Sequence, residues 1–430
     1  MLEILDFPPE ILELIIDELA LSPALTSEFL DSVHQRLSRR ILPLGQTCRF
    51  FYQFILPRFY SNCFLEFREL FGEGPEYRLY DSSAAGTVRK YNGFLKNGTL
   101  VKNLNVRFDE RAGWLPPARD WTSEKWSEFQ QVSQSAPQTL EKLVPRFDHL
   151  RRVEFQRDIG SQGSLGDLVR GLSLVLSQVP SLRALDLSVQ YSLEDKSDWD
   201  EAGIEFEHPV FVAKLHDLSI SIEPFLHEVS WDQEPTDGDL LDSLWFMDIL
   251  VDYLKVPSRT VRNLNFEFIF EGFERCPIGY GWLNGRDYGA ATNFARERLE
   301  LPHVGKLYLT LGNGGQFAYE QYFKIDHREV RDLSLQMVTL SRGKWSKEIP
   351  FIKSFSKLEA LTLYHPRNIK PVEAVAASLS HFNCLKEITV RLFAPSSQVT
   401  AIMDKFEKDP KVKVEKFGSN AGFVTVCLHL

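Results

Sequence analysis

The sequence predicts an α/β protein in which a helical N-terminal module precedes an array of parallel strands joined by crossover helices. Two observations predict this fold class. A short apolar pattern typical of a strand recurs along the chain after residue 95, and amphipathic segments with helical spacing lie within the first part of the chain. The segments between the strand patterns are long enough for helices, so we expect right-handed strand–helix–strand connections. We therefore divide the chain into a helical module at 1–62, a linker at 63–95 and a strand array at 96–430.

The composition is that of an ordered globular protein with excess acidic charge. Hydrophobic residues make up 43% and charged residues 25% of the chain, and the formal net charge is −10, which argues against general binding to nucleic acids or anionic membranes. The five cysteines include no Cys-x-x-Cys pair, as expected for reduced thiols in the cytoplasm or the nucleus. We expect no metal site, no nucleic-acid partner and no membrane partner.

The opening stretch LDFPPEILELIIDELA, residues 5–20, predicts an amphipathic helix. Pro8 and Pro9 suit a first helical turn, and Asp6 can cap it. Acidic residues occupy most of the opposite side, which argues against a signal peptide and against a mitochondrial presequence. The apolar stripe consists of Ile11, Leu12, Ile15, Ile16 and Leu19.

A second helical stretch follows in RRILPLGQTCRFFYQFILPRFYSNCFLEF, residues 39–67. Leu44, Cys48, Phe51 and Ile55 recur with helical spacing. Pro57 is expected to stop or restart this helix, because proline lacks the N–H that a helix interior uses.

FPPEILELIIDEL at 7–19 and LGQTCRFFYQFI at 44–55 together resemble the F-box, with an insert at about 21–40 between them. The resemblance implies a helical module that binds the Skp adaptor and, through it, the cullin of an SCF-type E3 ubiquitin ligase. Physically, this is recognition of a helix in a groove. The alternative is that these helices cap the rest of the fold. The residues implied in adaptor binding are Phe7, Pro8, Ile11, Leu12, Ile15, Ile16, Leu19, Leu44, Cys48 and Phe51.

One strand motif, an apolar residue followed by two other residues and then apolar-x-apolar, recurs nine times. Its outward positions are mostly polar, which predicts one sheet with a buried and a solvated face. The last four copies are 26, 28 and 27 residues apart, close to the period of leucine-rich repeats. The motifs begin at Val101, Leu150, Leu182, Leu215, Val261, Val304, Val330, Leu358 and Leu385.

The array resembles an irregular leucine-rich-repeat solenoid, a known partner of the F-box within that family. It departs from the repeat consensus, because the usual Asn or Cys after the last strand leucine is missing. The alternative is a doubly wound α/β domain, which requires a glycine-rich phosphate loop after an early strand. LGNGGQ at 311–316 lacks the lysine and hydroxyl of such a loop, and we interpret it as a turn.

The chain contains no common nucleotide-binding, hydrolase or metalloprotease motif. We therefore expect no enzyme activity and no cofactor, and look for a recognition surface instead. The outward strand positions and the aromatic-rich segments between motifs are the candidates, since Trp and Arg are frequent in binding hot spots. The candidate target-binding residues are Trp121, Trp199, Trp231, Trp282, Arg107, Arg152 and Arg391.

The sequence thus predicts the substrate-recognition subunit of an SCF-type E3 ubiquitin ligase, whose target it does not name. The alternative function is a leucine-rich-repeat protein-binding scaffold unrelated to ubiquitination.

Overall fold

The fold was analysed in a computed structural model, which describes residues 49–69, 77–80, 84–109, 135–157, 164–192, 211–225, 244–269, 298–311, 315–337, 348–364, 382–393, 404, 413–418 and 423–429. The chain forms two compact units. Unit 1 comprises Met1–Gln156 and Arg170–Ser181, and unit 2 comprises Arg157–Val169 and Leu182–Leu430. These boundaries differ from those predicted at 62 and 95.

The described residues contain helices, strands and three short 3-10 turns. The helices are α1 (Arg49–Tyr60), α2 (Ala84–Asn97), α3 (Ala136–Leu143), α4 (Ser164–Gln178), α5 (Trp245–Leu254), α6 (Gly315–Tyr322) and α7 (Glu348–Lys353). The strands are β1 (Asn62–Glu69), β2 (Tyr77–Tyr80), β3 (Asn103–Asp109), β4 (Arg152–Arg157), β5 (Ala184–Ser192), β6 (Asp217–Phe225), β7 (Asn263–Phe268), β8 (Leu299–Leu301), β9 (Lys306–Leu311), β10 (Phe323–Ile325), β11 (Asp332–Met337), β12 (Ala360–Tyr364), β13 (Glu387–Phe393), β14 (Lys413–Gly418) and β15 (Phe423–His429). The 3-10 turns are Gly98–Leu100, Val144–Arg146 and Pro257–Thr260.

All nine sequence motifs begin strands, as predicted. Each strand starts two residues after the first apolar residue of its motif, giving β3, β4, β5, β6, β7, β9, β11, β12 and β13. That first residue is buried in every case, from Val101 at 0% exposed to Leu385 at 8%. The period-two alternation continues along the strands, for example through buried Leu185, Leu187 and Val189 of β5. The motif therefore places one apolar side of each strand in the core.

Unit 1 contains a sheet in the order β2-β1-β3-β4. β1 pairs with β3 in parallel and with β2 antiparallel. Residues 63–95, predicted as a linker, thus carry β1, β2 and α2. Phe64, Leu65, Glu66 and Phe67 of β1 are all buried, so exposure does not alternate along this strand.

The larger sheet of unit 2 is mostly parallel. Among the described residues its strands follow the order β5-β6-β7-β9-β11-β12-β13-β15-β14. Neighbours from β5 to β13 are parallel, whereas β15 runs antiparallel to β13 and to β14. β8 and β10 form a separate parallel pair. β8 lies in the segment between the motifs that begin at Val261 and Val304, for which a crossover helix was expected.

A repeated backbone junction ties each strand to the previous one at its start. One carbonyl accepts from two consecutive N–H groups of the next motif: Arg183 O from the N–H groups of His216 and Asp217, at 2.7 and 3.0 Å. The same arrangement recurs at the carbonyls of His216, Arg262, Gly305, Arg331 and Glu359. The residues just before each strand therefore form a row along one edge of the sheet.

Helices cover the apolar side of the strands in both units. α4 buries one face at i, i+3, i+4 and i+7, with Leu165, Leu168, Val169 and Leu172 at most 2% exposed. In unit 2, Tyr322 of α6 donates its hydroxyl to Asp248 Oδ1 of α5 at 2.9 Å. The crossover segments that the structure describes are thus partly helical, as expected.

α1 runs through Pro57, contrary to the expectation that this proline stops the helix. The helix loses one backbone bond there, but its last turn packs against unit 1. The ring of Tyr60 lies edge-on to that of Phe94, with centroids 5.7 Å apart, and Ile55 is buried. Tertiary packing therefore outweighs the local preference.

No helix within the described ranges is long and apolar enough to cross a membrane.

Candidate functional site

The outward side chains of the unit 2 strands β5 to β13 form a surface that we call the polar face. The pairing registers align these side chains in rows that cross the sheet. One row joins Asp217, Asn263, Lys306 and Asp332, and the next joins Ser219, Asn265, Tyr308 and Ser334. Because parallel strands lie about 4.8 Å apart, successive members of a row are close neighbours.

A groove of about 330 Å³ opens on the polar face across β5, β6, β7, β9 and β11. Carboxylates, amides, hydroxyls and one ammonium group meet there, and three leucines also line the groove. Its lining residues are Asp186, Asp217, Leu218, Ser219, Asn263, Leu264, Asn265, Lys306, Leu307, Tyr308, Asp332 and Ser334. A groove with several donors and acceptors fits recognition of polar chain segments.

Hydrogen bonds between neighbouring strands hold the groove side chains in place. Asn263 Nδ2 donates to Asp217 Oδ1 at 2.5 Å, and Asn265 Nδ2 donates to Ser219 Oγ at 2.9 Å. Lys306 Nζ lies 3.6 Å from Asp332 Oδ2. Asn265 Oδ1 is buried and has no hydrogen-bond partner among the residues that the structure describes.

An aromatic cluster lies beside the groove. The rings of Tyr308 and Tyr364 are edge-on, with centroids 5.7 Å apart, and Arg391 places its guanidinium carbon 5.1 Å from the centroid of Tyr364. The Tyr308 hydroxyl is hydrogen-bonded to Gln336 Oε1. Burial, and then the nearby Glu267 carboxylate, raise the pKa of Tyr308. The hydroxyl therefore stays protonated at neutral pH and acts as a donor.

Carboxylates on the polar face do not form a metal site. Within the described ranges, no three His, Cys, Asp or Glu side chains converge closely enough to hold a metal ion. Asp217 and Asp332 each have a donor or a cation at their side, as described above.

A second polar cluster in unit 2 joins Tyr319, His327 and Ser354. Tyr319 OH lies 2.9 Å from His327 Nε2, and His327 Nδ1 lies 2.6 Å from Ser354 Oγ. Burial, with a smaller contribution from Glu320, raises the pKa of Tyr319, so its hydroxyl donates and Nε2 accepts. Nδ1 then carries the proton and donates to Ser354, which in turn donates to Phe351 O at 2.6 Å. His327 is thus not a base for this serine, and the cluster is structural.

This cluster makes unit 2 sensitive to acid. Burial lowers the pKa of His327, and the nearby Asp326 carboxylate opposes this shift. In the unfolded chain the pKa of histidine is about 6.5. Below that pH the unfolded chain binds the proton first, so stability falls until the pH reaches the folded pKa. We expect urea midpoints to fall more between about pH 7 and 5 for the wild type than for His327→Gln. His303→Gln, at an exposed histidine, should behave like the wild type, and an unchanged pH dependence in His327→Gln would contradict this assignment.

The predicted site residues fall in different places. Arg391 belongs to the aromatic cluster. Arg107 is partly exposed in β3, and Arg152 is exposed at the first position of β4; both belong to unit 1. The tryptophans Trp121, Trp199, Trp231 and Trp282 lie outside the described residues, as do Phe7, Pro8, Ile11, Leu12, Ile15, Ile16, Leu19, Leu44 and Cys48. The backbone of Phe51 lies in α1.

Sequence reasoning did not single out Tyr308 or Tyr364. Their signal was present, because each occupies an outward position of a recognised strand motif. What was missing was the register, which decides which outward positions become neighbours.

Comparison with protein-family models finds no match to this chain, and comparison with curated proteins finds none. The function is therefore argued from the residues and their geometry.

Proposed function

We propose that the chain is the substrate-recognition subunit of an SCF-type E3 ubiquitin ligase in the cytoplasm, the nucleus or both. The N-terminal F-box helices bind a Skp adaptor, and through it a cullin, while an irregular leucine-rich-repeat solenoid binds a target protein. The observation that carries the proposal is the polar face with its groove and aromatic cluster, built on seven of the recurring strand motifs. Such a surface is suited to holding a protein.

The polar face has the side chains that bind proteins well. Tyr364 and Arg391 belong to the residue types most frequent in binding hot spots, and their stacked contact holds the Arg side chain in place. The adjoining groove supplies donors and acceptors that can fix the register of a bound segment. Together they combine an aromatic anchor with a polar surround.

The F-box resemblance at 7–19 and 44–55 supports adaptor binding. Its apolar stripe follows the spacing by which a helix fills a groove in a partner. In α1, Tyr52 is 50% exposed while Ile55 is buried against unit 1. α1 thus has a solvent-facing side in addition to the side that packs.

The proposed contribution to ubiquitination is proximity. A receptor that holds a target beside a ubiquitin-loaded enzyme converts an encounter between two molecules into a step within one assembly. The chain itself makes and breaks no bond in this proposal.

A second candidate is a repeat scaffold unrelated to ubiquitination, whose N-terminal helices seal the fold. The packing of α1 favours it, because Tyr60 contacts Phe94 and its hydroxyl lies against Gly93, where an added Cβ would meet it at 2.7 Å. In this case the N-terminal segment stabilises unit 1 and binds no adaptor.

The decisive experiment is co-purification with a Skp adaptor. We expect the wild type to bind and the double variant Ile15→Asp/Ile16→Asp to lose binding, because two carboxylates cannot enter an apolar groove without a large desolvation cost. The matched control is Val212→Asp/Val256→Asp, which adds the same charges at residues that are 40% and 50% exposed in unit 2.

Thermal unfolding of the same variants separates the two candidates. A docking helix predicts an unchanged melting temperature in the variant that loses the adaptor. A cap predicts a lowered melting temperature and no adaptor binding by the wild type, which would establish the scaffold instead.

A further inference from the structure

The cationic side chains of Arg183, Lys214 and Arg262 and the imidazole of His216 lie together at the edge of the unit 2 sheet where β5, β6 and β7 begin. We call this set, Arg183, Lys214, His216 and Arg262, the basic edge. All four are exposed. It is distinct from the groove, whose lining residues do not include any of the four.

The backbone junctions place these side chains side by side. The carbonyl of Arg183 accepts from the N–H of His216, and the carbonyl of His216 accepts from that of Arg262, at 2.7 and 2.8 Å. The three therefore hold equivalent positions on neighbouring strands, about 4.8 Å apart from one strand to the next. Arg183 Nη1 also lies 3.4 Å from the carbonyl of Lys214, so its guanidinium runs along the edge.

Within the part of the chain that the structure describes, no carboxylate is paired with the charges of the basic edge. Further along the same row the cations form ion pairs. Glu359 Oε1 lies 3.1 Å from Arg331 Nη1, and Glu359 Oε2 lies 2.6 Å from Lys386 Nζ. One end of the row is thus paired internally, and the other presents cations to solvent.

The acidic residue that adjoins the basic edge in sequence lines the groove. This residue is Asp217, which follows His216 and whose carboxylate accepts from Asn263. Guanidinium groups bind carboxylates through paired hydrogen bonds, which are stronger than bonds between neutral groups. Cations two strands apart can therefore hold two acidic side chains of one bound segment.

We propose that the basic edge is a docking surface for an acidic peptide segment, rich in Asp or Glu, of a partner protein. A long polyanion such as a nucleic acid fits poorly. It would extend from the basic edge onto the groove, where Asp186, Asp217 and Asp332 repel it, and onto a chain with a net charge of −10. A short acidic segment can occupy the edge alone.

The inference deepens the proposed function, since it names the chemistry by which the chain holds a target. It rests on the proposed function only for the identity of that target as a ubiquitination substrate. Binding of an acidic segment is measured without the adaptor. Failure of one experiment is therefore distinguishable from failure of the other.

The test is fluorescence anisotropy with a labelled peptide of alternating glutamate and glycine, using the full chain. We expect the wild type to bind it, and Arg183→Glu/Arg262→Glu to weaken binding by about tenfold or more. Raising the salt from about 0.1 M to about 1 M should weaken wild-type binding similarly, because the contacts are exposed. The matched control is Arg331→Glu, in the same row but paired with Glu359, which should retain most of the binding.

Circular dichroism of each variant verifies that it folds, and Arg183→Gln/Arg262→Gln replaces the charge reversal if that variant does not. The proposal would be overturned if the wild type did not bind the acidic peptide or if Arg331→Glu lost as much affinity as the double variant. Equal binding of a lysine–glycine peptide would overturn it as well. Tighter binding of a single-stranded oligonucleotide than of the acidic peptide would also overturn it.

Discussion

Phe266→Ala is expected to destabilise unit 2 by about 3–5 kcal/mol, the usual cost of removing a buried phenylalanine ring. Phe266 is fully buried in β7, and its ring lies edge-on to that of Phe323 in β10, with centroids 4.8 Å apart. Phe323 in turn stacks on Tyr319 of α6. Truncation thus leaves a cavity between the large sheet and the elements that cover it. Urea unfolding followed by circular dichroism gives the change in midpoint.

The control for Phe266→Ala is Val256→Ala. Val256 is 50% exposed, so its truncation should stay within about 0.5 kcal/mol of the wild type. A loss below about 1 kcal/mol in Phe266→Ala would mean that the ring is not enclosed as the structure has it.

Gly98→Ala is expected to destabilise unit 1 by about 1–3 kcal/mol through overpacking. Gly98 is buried at the start of the turn after α2, where an added Cβ would lie 2.7 Å from both Cβ and the carbonyl oxygen of Arg146. The obstacle is partly backbone, so a change of side-chain rotamer cannot remove it. The Val144–Arg146 turn would have to shift.

Gly305→Ala provides the comparison for Gly98→Ala. Nothing lies within 4 Å of a Cβ at Gly305, and alanine also restricts the unfolded chain, so stability should be unchanged or slightly raised. Differential scanning fluorimetry of the two variants is sufficient. Equal melting temperatures would show that the close approach of Gly98 and Arg146 is not present in solution.

The strand array was predictable because its signal is local. In each motif the buried positions, such as Leu182, Leu185 and Leu187 in β5, are set by the period of two, and polar residues mark the other face. Parallel pairing then follows because the segments between motifs are too long for hairpins. Sequence alone therefore predicted nine strands and the face that each presents.

The missed elements lack that local signal. β1 is buried on both sides, so Phe64 and Glu66 do not alternate with Leu65 and Phe67 in exposure. β8 and β10 are each only three residues long, and they pair with one another although β9 and α6 separate them in sequence. The antiparallel β14 and β15 end the sheet without the motif. Tertiary contacts determine these strands, and no short window of sequence contains them.

The local pattern predicted which residues of the candidate site face outward, but not which of them lie next to one another. The motif places Tyr308, Tyr364 and Arg391 on the outward face, yet only the register shows that they meet in space. The sequence likewise does not show which charged residues of the row before the strands are paired with one another. Arg262 and Arg331 occupy equivalent positions, and among the described residues only the second has a carboxylate at its side.

The lengths of the pairing registers determine how the large sheet of unit 2 responds to a pulling force. Its strands lie side by side, so a force that pulls the first and last apart loads every interface in series, and the weakest must open first. The shortest parallel register joins 263–266 of β7 to 306–309 of β9, whereas β5 and β6 pair along their whole lengths. Under tension the sheet would therefore separate first between β7 and β9, which divides the groove, before either half came apart.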